Sequence, residues 1–121
     1  MKYALSQRFF FEAAHTLRRQ VDAEPSRRIH GHTYLAEVTL SATPDPESGM
    51  VVDLGHLRRE IETVRERLDH RFLDEVDGIG PATLENLCTY LWRAFEAIYG
   101  TTLAAIEVRR EASGDACRLT R

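Results

Sequence analysis

Two segments of alternating polarity, one ending and one beginning in histidine, restrict this chain more than any other feature. Tyr3, Leu5, Phe9, Phe11, Ala13 and His15 share one parity, interrupted at Gln7, and His30, His32, Tyr34, Ala36, Val38 and Leu40 form a second run. Residues two apart in an extended chain point to the same face, so each segment reads as a strand of antiparallel type with one apolar face. His30 and His32, separated by Gly31, project together from the head of the second strand. Antiparallel pairing of the two strands carries His15 to them. Three imidazoles with a fourth position left to water or substrate are the donor set of a catalytic zinc. Iron, nickel and copper also accept such a tripod. The plain alternative is three polar residues beside a loop. It suits a histidine taken singly better than a convergent trio.

The remainder of the chain fits around that pair. Its 121 residues suit one domain with a core of its own. Thr16 to Arg28 is polar, contains Pro25 and has no period, so it reads as a loop. Because His15 and His30 bracket it, Arg18-Arg19 and Arg27-Arg28 should bring positive charge beside the metal. Pro44 to Gly49 is turn chemistry. Asp53 suits a helix N-cap, followed by an apolar stripe of Leu54, Leu57, Ile61, Val64 and Leu68. Thr83 suits a second cap, before Leu84, Leu87, Leu91, Phe95 and Ile98, with Gly100 as the stop. Leu103 to Val108 and Cys117 to Arg121 read as third and fourth strands around a turn at Ser113-Gly114-Asp115. The expected class is α+β: a four-stranded antiparallel sheet with two helices on one face. Such a sheet leaves a bare face and two edges, which edge-to-edge pairing with further copies would remove.

Charge and composition narrow the partners. A formal net charge of −3 argues against a general nucleic-acid binder, which needs a basic face to displace counterions. No apolar run approaches membrane-spanning length, and the N-terminus lacks a signal-peptide pattern. Cys88 and Cys117 form no motif, which fits a reducing cytoplasm. Among the other candidates, Asp69-His70 is either a polar helix terminus or a carboxylate orienting a proton carrier. Glu111 is either a solvated turn residue or a carboxylate that receives paired N–H groups of a heterocycle. His56 reads as exposed and Cys88 as core packing.

In order and spacing, Phe9-x-Phe11-x-Ala13-Ala14-His15, His30-Gly31-His32, Asp53, Leu68-Asp69-His70 and Thr83-x-Glu85-Asn86 resemble the 6-pyruvoyltetrahydropterin synthase family. The likeness is greatest to its bacterial branch, 6-carboxytetrahydropterin synthase of queuosine biosynthesis, and covers nearly the whole chain. The resemblance implies the tunnelling fold (T-fold): subunits joined into a trimeric barrel, two trimers stacked as a homohexamer, and active sites between subunits. It implies Zn2+ on His15, His30 and His32, and 7,8-dihydroneopterin triphosphate as substrate. The implied reaction is a lyase reaction that expels triphosphate and, in the bacterial branch, acetaldehyde. His70, oriented by Asp69, matches the proton carrier. Glu111 matches the pterin anchor, with Thr83 to Glu85 contributing to the pterin pocket. Arg27 and Arg28, with Arg18 or Arg19, are candidates for gripping triphosphate.

Two positions depart from the family pattern. Ser26 stands four residues before His30, where the family carries its catalytic cysteine. A thiol with a reference pKa of about 8.5 forms a thiolate near neutrality, and an alkoxide does not. Glu24, two residues away, is the alternative base. The second departure is at the anchor. Counting from Val108 puts Arg110 there, and counting back from Cys117 puts Glu111 there; a one-residue bulge would reconcile the counts. An active lyase, an enzyme diverged toward another dihydropterin side chain, and a paralogue that only binds a pterin or purine are therefore the readings that remain open.

Overall fold

The computed structural model describes residues 1–121. In chain order the elements are β1 (Tyr3–His15), α1 (Ala23–Arg27), β2 (His30–Ala42), α2 (Leu54–Arg65), β3 (Arg71–Phe72), α3 (Leu84–Tyr99), β4 (Leu103–Arg110) and β5 (Asp115–Thr120). β1 and β2 pair antiparallel over their full length, with Phe11 opposite Tyr34, Ala13 opposite His32 and His15 opposite His30. This register keeps the odd residues of β1 and the even residues of β2 on one face. There the Phe11 and Tyr34 rings stack with centroids 5.0 Å apart. β4 adds to β2, and β5 to β4, both antiparallel.

The helices cover that same face. Asp53 caps α2 by accepting from the Gly55 N–H at 2.8 Å, and Thr83 caps α3 by accepting from the Asn86 N–H at 3.1 Å. Leu57, Ile61 and Val64 of α2 and Leu87, Leu91 and Phe95 of α3 join Phe9, Val38, Ile106 and Val108 in one core. Each such side chain stabilises the fold by about 1.5–3 kcal/mol on burial. α2 packs on β1, while α3 packs on β4 and β5. The opposite face of β1 carries Arg8, Phe10 and Glu12, all exposed. No helix is long and apolar enough to cross a membrane.

The α+β class stands, with corrections of detail. The sheet has five strands in the order β3-β1-β2-β4-β5, not four. The added strand is two residues long and parallel to β1, pairing Arg71 with Ala13 and Phe72 with Ala14. His70 turns the chain onto that edge with a left-handed backbone (φ 58°). The loop after β1 contains the short helix α1, where Pro25 sits in the first turn and withholds no N–H that the helix needs. α2 ends at Arg65 rather than Leu68, because Arg67 and Leu68 donate three residues back, to Val64 and Arg65. The apolar stripe continues past the regular helix because Leu68 is still buried in this tighter turn.

Candidate metal centre and the cavity beside it

His15 ends β1 and His30 begins β2, so antiparallel pairing alone brings their rings together. The His15 Nε2 atom lies 2.9 Å from His30 Nε2 and 3.0 Å from His32 Nε2. The three ligand atoms all fall within 4.8 Å of one another. Two outer contacts fix which nitrogen faces inward. His15 Nδ1 meets the Ala82 carbonyl at 2.9 Å, and His30 Nδ1 meets the Arg28 carbonyl at 2.7 Å. A carbonyl only accepts, so both Nδ1 atoms carry the proton and both Nε2 atoms present lone pairs to each other. Lone pairs held that close repel unless a cation lies between them. Backbone acceptors behind metal-bound imidazoles are the usual means of holding this orientation.

The donors fit a tetrahedral metal. Bonds of about 2.0–2.1 Å to imidazole nitrogen place the donors about 3.3 Å apart, close to the contacts seen here. Burial, with the neighbouring His30 and the Arg110 guanidinium adding to it, lowers the His15 pKa, against a raising contribution from the Ala82 carbonyl. Burial and then Arg110, with His15 and His30 behind them, push His32 down to about 4. His15 and His32 thus favour the neutral form that ligates a metal.

A cavity of about 390 Å3 opens beside the trio, its wall including Arg19, Ser26, His30, His32, Arg110 and Asp115. Ser26 is buried, and its Oγ is held by the surrounding backbone. It donates to the carbonyls of Leu17 (2.9 Å) and Ala23 (2.7 Å), one at a time, and accepts from the Arg19 N–H (3.2 Å). The serine therefore ties the loop to α1. Glu24 is exposed and paired with Arg28 at 3.0 Å, and neither lines this cavity. Arg27 borders a separate cavity with Thr16, Leu17 and Arg18. Thr83 shares another with Arg18, Arg19 and Asp74, while Glu85 is exposed at the start of α3. Of the arginines singled out by charge, Arg19 is the one that reaches the histidine cavity.

β4 and β5 stay in continuous register from Ala105 opposite Thr120 to Arg110 opposite Asp115, so no bulge interrupts them. Arg110 keeps the parity of the buried Ile106 and Val108. Glu111 lies beyond the strand, exposed, 3.5 Å from Arg109. The wall of the cavity is formed by Arg110, not Glu111. Nothing in the alternation of the sequence distinguishes the two, since the ambiguity is one of register.

Asp69 and His70 form a second group. The His70 Nδ1–H donates to Asp69 Oδ2 at 2.9 Å and leaves Nε2 free. The Asp69 carboxylate also accepts from the Glu12 N–H (2.9 Å) and lies 3.3 Å from Arg65. The Glu12 N–H, with His70 and Arg65 helping, holds the Asp69 pKa below the usual carboxylate range. His70 opens onto a cavity of about 580 Å3 shared with Glu12, Gly31, His32 and Thr33. Glu12 and Thr33 are paired across the face opposite the histidine trio. Ser26 and His70 consequently line different cavities within the chain. Glu12, 4.0 Å from His70 Nε2, is a neighbour that sequence reasoning did not single out. The largest cavity, about 850 Å3, lies at the Tyr3 end of β1, away from all of these groups.

A largely antiparallel sheet backed by two helices, with an open histidine trio at one end of its central hairpin, is a tunnelling-fold protein with a candidate metal centre. Comparison with known proteins makes the class specific. Residues 4–121 match the 6-pyruvoyl tetrahydropterin synthase family, and the chain belongs to it. A 6-pyruvoyl tetrahydrobiopterin synthase of Drosophila melanogaster is 43% identical over 67 residues, which take in 52% of this chain and 40% of that protein. A 6-carboxy-5,6,7,8-tetrahydropterin synthase of Synechocystis sp. is 29% identical over 111 residues, 88% of this chain and 84% of the relative. The fold matches the structure of Caenorhabditis elegans 6-pyruvoyl tetrahydropterin synthase with a TM-score of 0.84 at 24% identity, covering 100% of this chain and 96% of that one.

Proposed function

We propose that this chain is a zinc-dependent lyase acting on 7,8-dihydroneopterin triphosphate, of the 6-carboxytetrahydropterin synthase type. The observation that carries the reading is the trio of His15, His30 and His32, two of them held by backbone carbonyls with Nε2 turned inward. Zinc bound there would act as a Lewis acid on the hydroxyls of a substrate side chain and acidify the neighbouring positions. His70 is the proposed proton carrier. Its Nδ1–H is committed to Asp69, so Nε2 is the atom that takes and returns a proton. The left-handed turn at His70 and its N–H bond to the Glu12 carbonyl hold the ring at the sheet edge.

His70 shares a cavity with His32, whereas Ser26 lines the other cavity beside the trio. The proposed site is completed by a neighbouring copy in a homohexameric barrel, in a cytoplasmic enzyme. Thr83 and Glu85 remain proposed contributors to the pterin pocket, as does Glu111 from a loop that a neighbour would approach. Arg27 and Arg28 remain proposed contacts for the outer phosphates.

A second reading has its own support. The Ser26 hydroxyl is a weak base that gives its proton to backbone carbonyls, and Glu24 faces Arg28, so neither is poised as the base that a cysteine would supply. That favours an enzyme diverged toward another dihydropterin side chain, or a paralogue that binds a pterin or purine without turnover. Incubating the zinc-loaded protein with 7,8-dihydroneopterin triphosphate separates these. Triphosphate with acetaldehyde and a carboxypterin supports the lyase reading, and triphosphate alone supports the pyruvoyl reaction. Tight binding without product supports the silent paralogue.

A further inference from the structure

We infer that Arg110 is the ligand-gripping residue of the histidine cavity, and that it takes a hydrogen-bond acceptor of the ligand, either a phosphate oxygen or the carbonyl edge of the ring. The inference deepens the proposed reading and rests on it for the choice of compounds.

Unbroken pairing of β4 with β5 fixes Arg110 on the face that Ile106 and Val108 bury. β2 runs alongside, with Ala36 opposite Val108, so the next positions toward the open end of that face are Tyr34 and His32 on β2 and Arg110 on β4. Arg110 therefore forms part of one wall with His30 and His32.

Unmet hydrogen bonds come next. A guanidinium has five N–H groups in a planar fork. Arg110 commits Nη2 to Asp115 at 2.9 Å and keeps its Nε closed off from the cavity, so its remaining Nη N–H groups are the donors it offers a ligand. The Tyr34 hydroxyl, wholly buried on the same face, lacks a partner. The carboxylates of this wall are partly engaged by its own donors. Asp115 Oδ2 accepts from both Arg110 and Ser113, and Asp22 lies 3.6 Å from Arg19. The wall thus keeps guanidinium N–H donors of Arg110 beside the histidines, with its carboxylates at Asp115 and Asp22 toward the solvent-exposed rim. A planar fork of donors suits an oxyanion, or a carbonyl beside a ring nitrogen, because both present acceptors in the same plane. Glu111, the residue that would accept, stands outside this wall against Arg109.

The test uses the full zinc-loaded chain with two compounds, 7,8-dihydroneopterin triphosphate and 7,8-dihydroneopterin. Affinities are read from pterin fluorescence, and zinc content is measured in every sample. Arg110→Gln should weaken the triphosphate compound at least about 10-fold, while Arg93→Gln, on the exposed side of α3, should leave it unchanged. Loss confined to the triphosphate compound assigns Arg110 to phosphate, and equal loss for both assigns it to the ring carbonyl edge. Arg110→Met keeps the apolar stem and replaces the glutamine variant if that variant fails to load zinc. Wild-type affinity for both compounds in the variant overturns the inference, as does absence of binding by the wild type. Arg110-dependent binding without turnover leaves this inference standing while the lyase reading falls. Turnover with Arg110-independent binding does the reverse.

Discussion

Acid should weaken the metal-stripped protein through His32 in a narrow and predictable window. In the folded chain, burial and the Arg110 guanidinium push its pKa from 6.5 down to about 4. The unfolded chain binds a proton near 6.5, and the folded chain resists it until about 4. Stability is therefore fully present above 6.5 and is lost as pH falls toward 4. One pH unit of difference is worth about 1.4 kcal/mol for a fully buried group; His32 is only partly buried, and solvent screening cuts the loss to about 1 kcal/mol at pH 5. His15, shifted in the same direction by its burial, adds to the loss. The perturbation is His32→Gln, which keeps a polar side chain and removes the titration. Urea unfolding of metal-stripped wild type and variant at about pH 7.5, 6 and 5 gives the comparison. Wild-type stability should fall more steeply than that of the variant over this range. Parallel lines would refute the argument that burial and Arg110 hold His32 neutral.

The remaining predictions probe other parts of the account. Asp69→Asn takes the charge from the group that orients His70. It should lower kcat on 7,8-dihydroneopterin triphosphate at least about 100-fold and leave zinc content unchanged, read by steady-state kinetics beside metal analysis. Phe95→Ala removes a fully buried ring that sits 6.4 Å from Phe9. It should cost about 3–5 kcal/mol in urea unfolding, whereas a change under 1 kcal/mol would place α3 wrongly.

Much of this molecule could be anticipated because its information is periodic. The alternation of β1 and β2 fixes which residues face the core, and the histidine trio follows from pairing those two strands without a bulge. The caps at Asp53 and Thr83 and the stripes behind them mark both main helices. What escaped was not periodic. β3 exists because His70 adopts a left-handed backbone and delivers two residues to an edge, and two residues carry no alternation. α1 is too short for a stripe. The engagement of Ser26 depends on carbonyls of Leu17 and Ala23, which any residue would supply. The choice between Arg110 and Glu111 turned on strand register, and only the pairing with β5 decides it. The place of His70 beside Glu12 and His32 was likewise invisible, because it belongs to a loop and not to the strands.

Spectroscopy of the bound metal tests the central claim most directly. X-ray absorption of the zinc-loaded chain should report three imidazole nitrogens at about 2.0–2.1 Å with oxygen from solvent completing the shell, and His15→Ala should abolish that signal. Fewer than three imidazoles, or four protein ligands with no solvent oxygen, would contradict an open three-histidine centre.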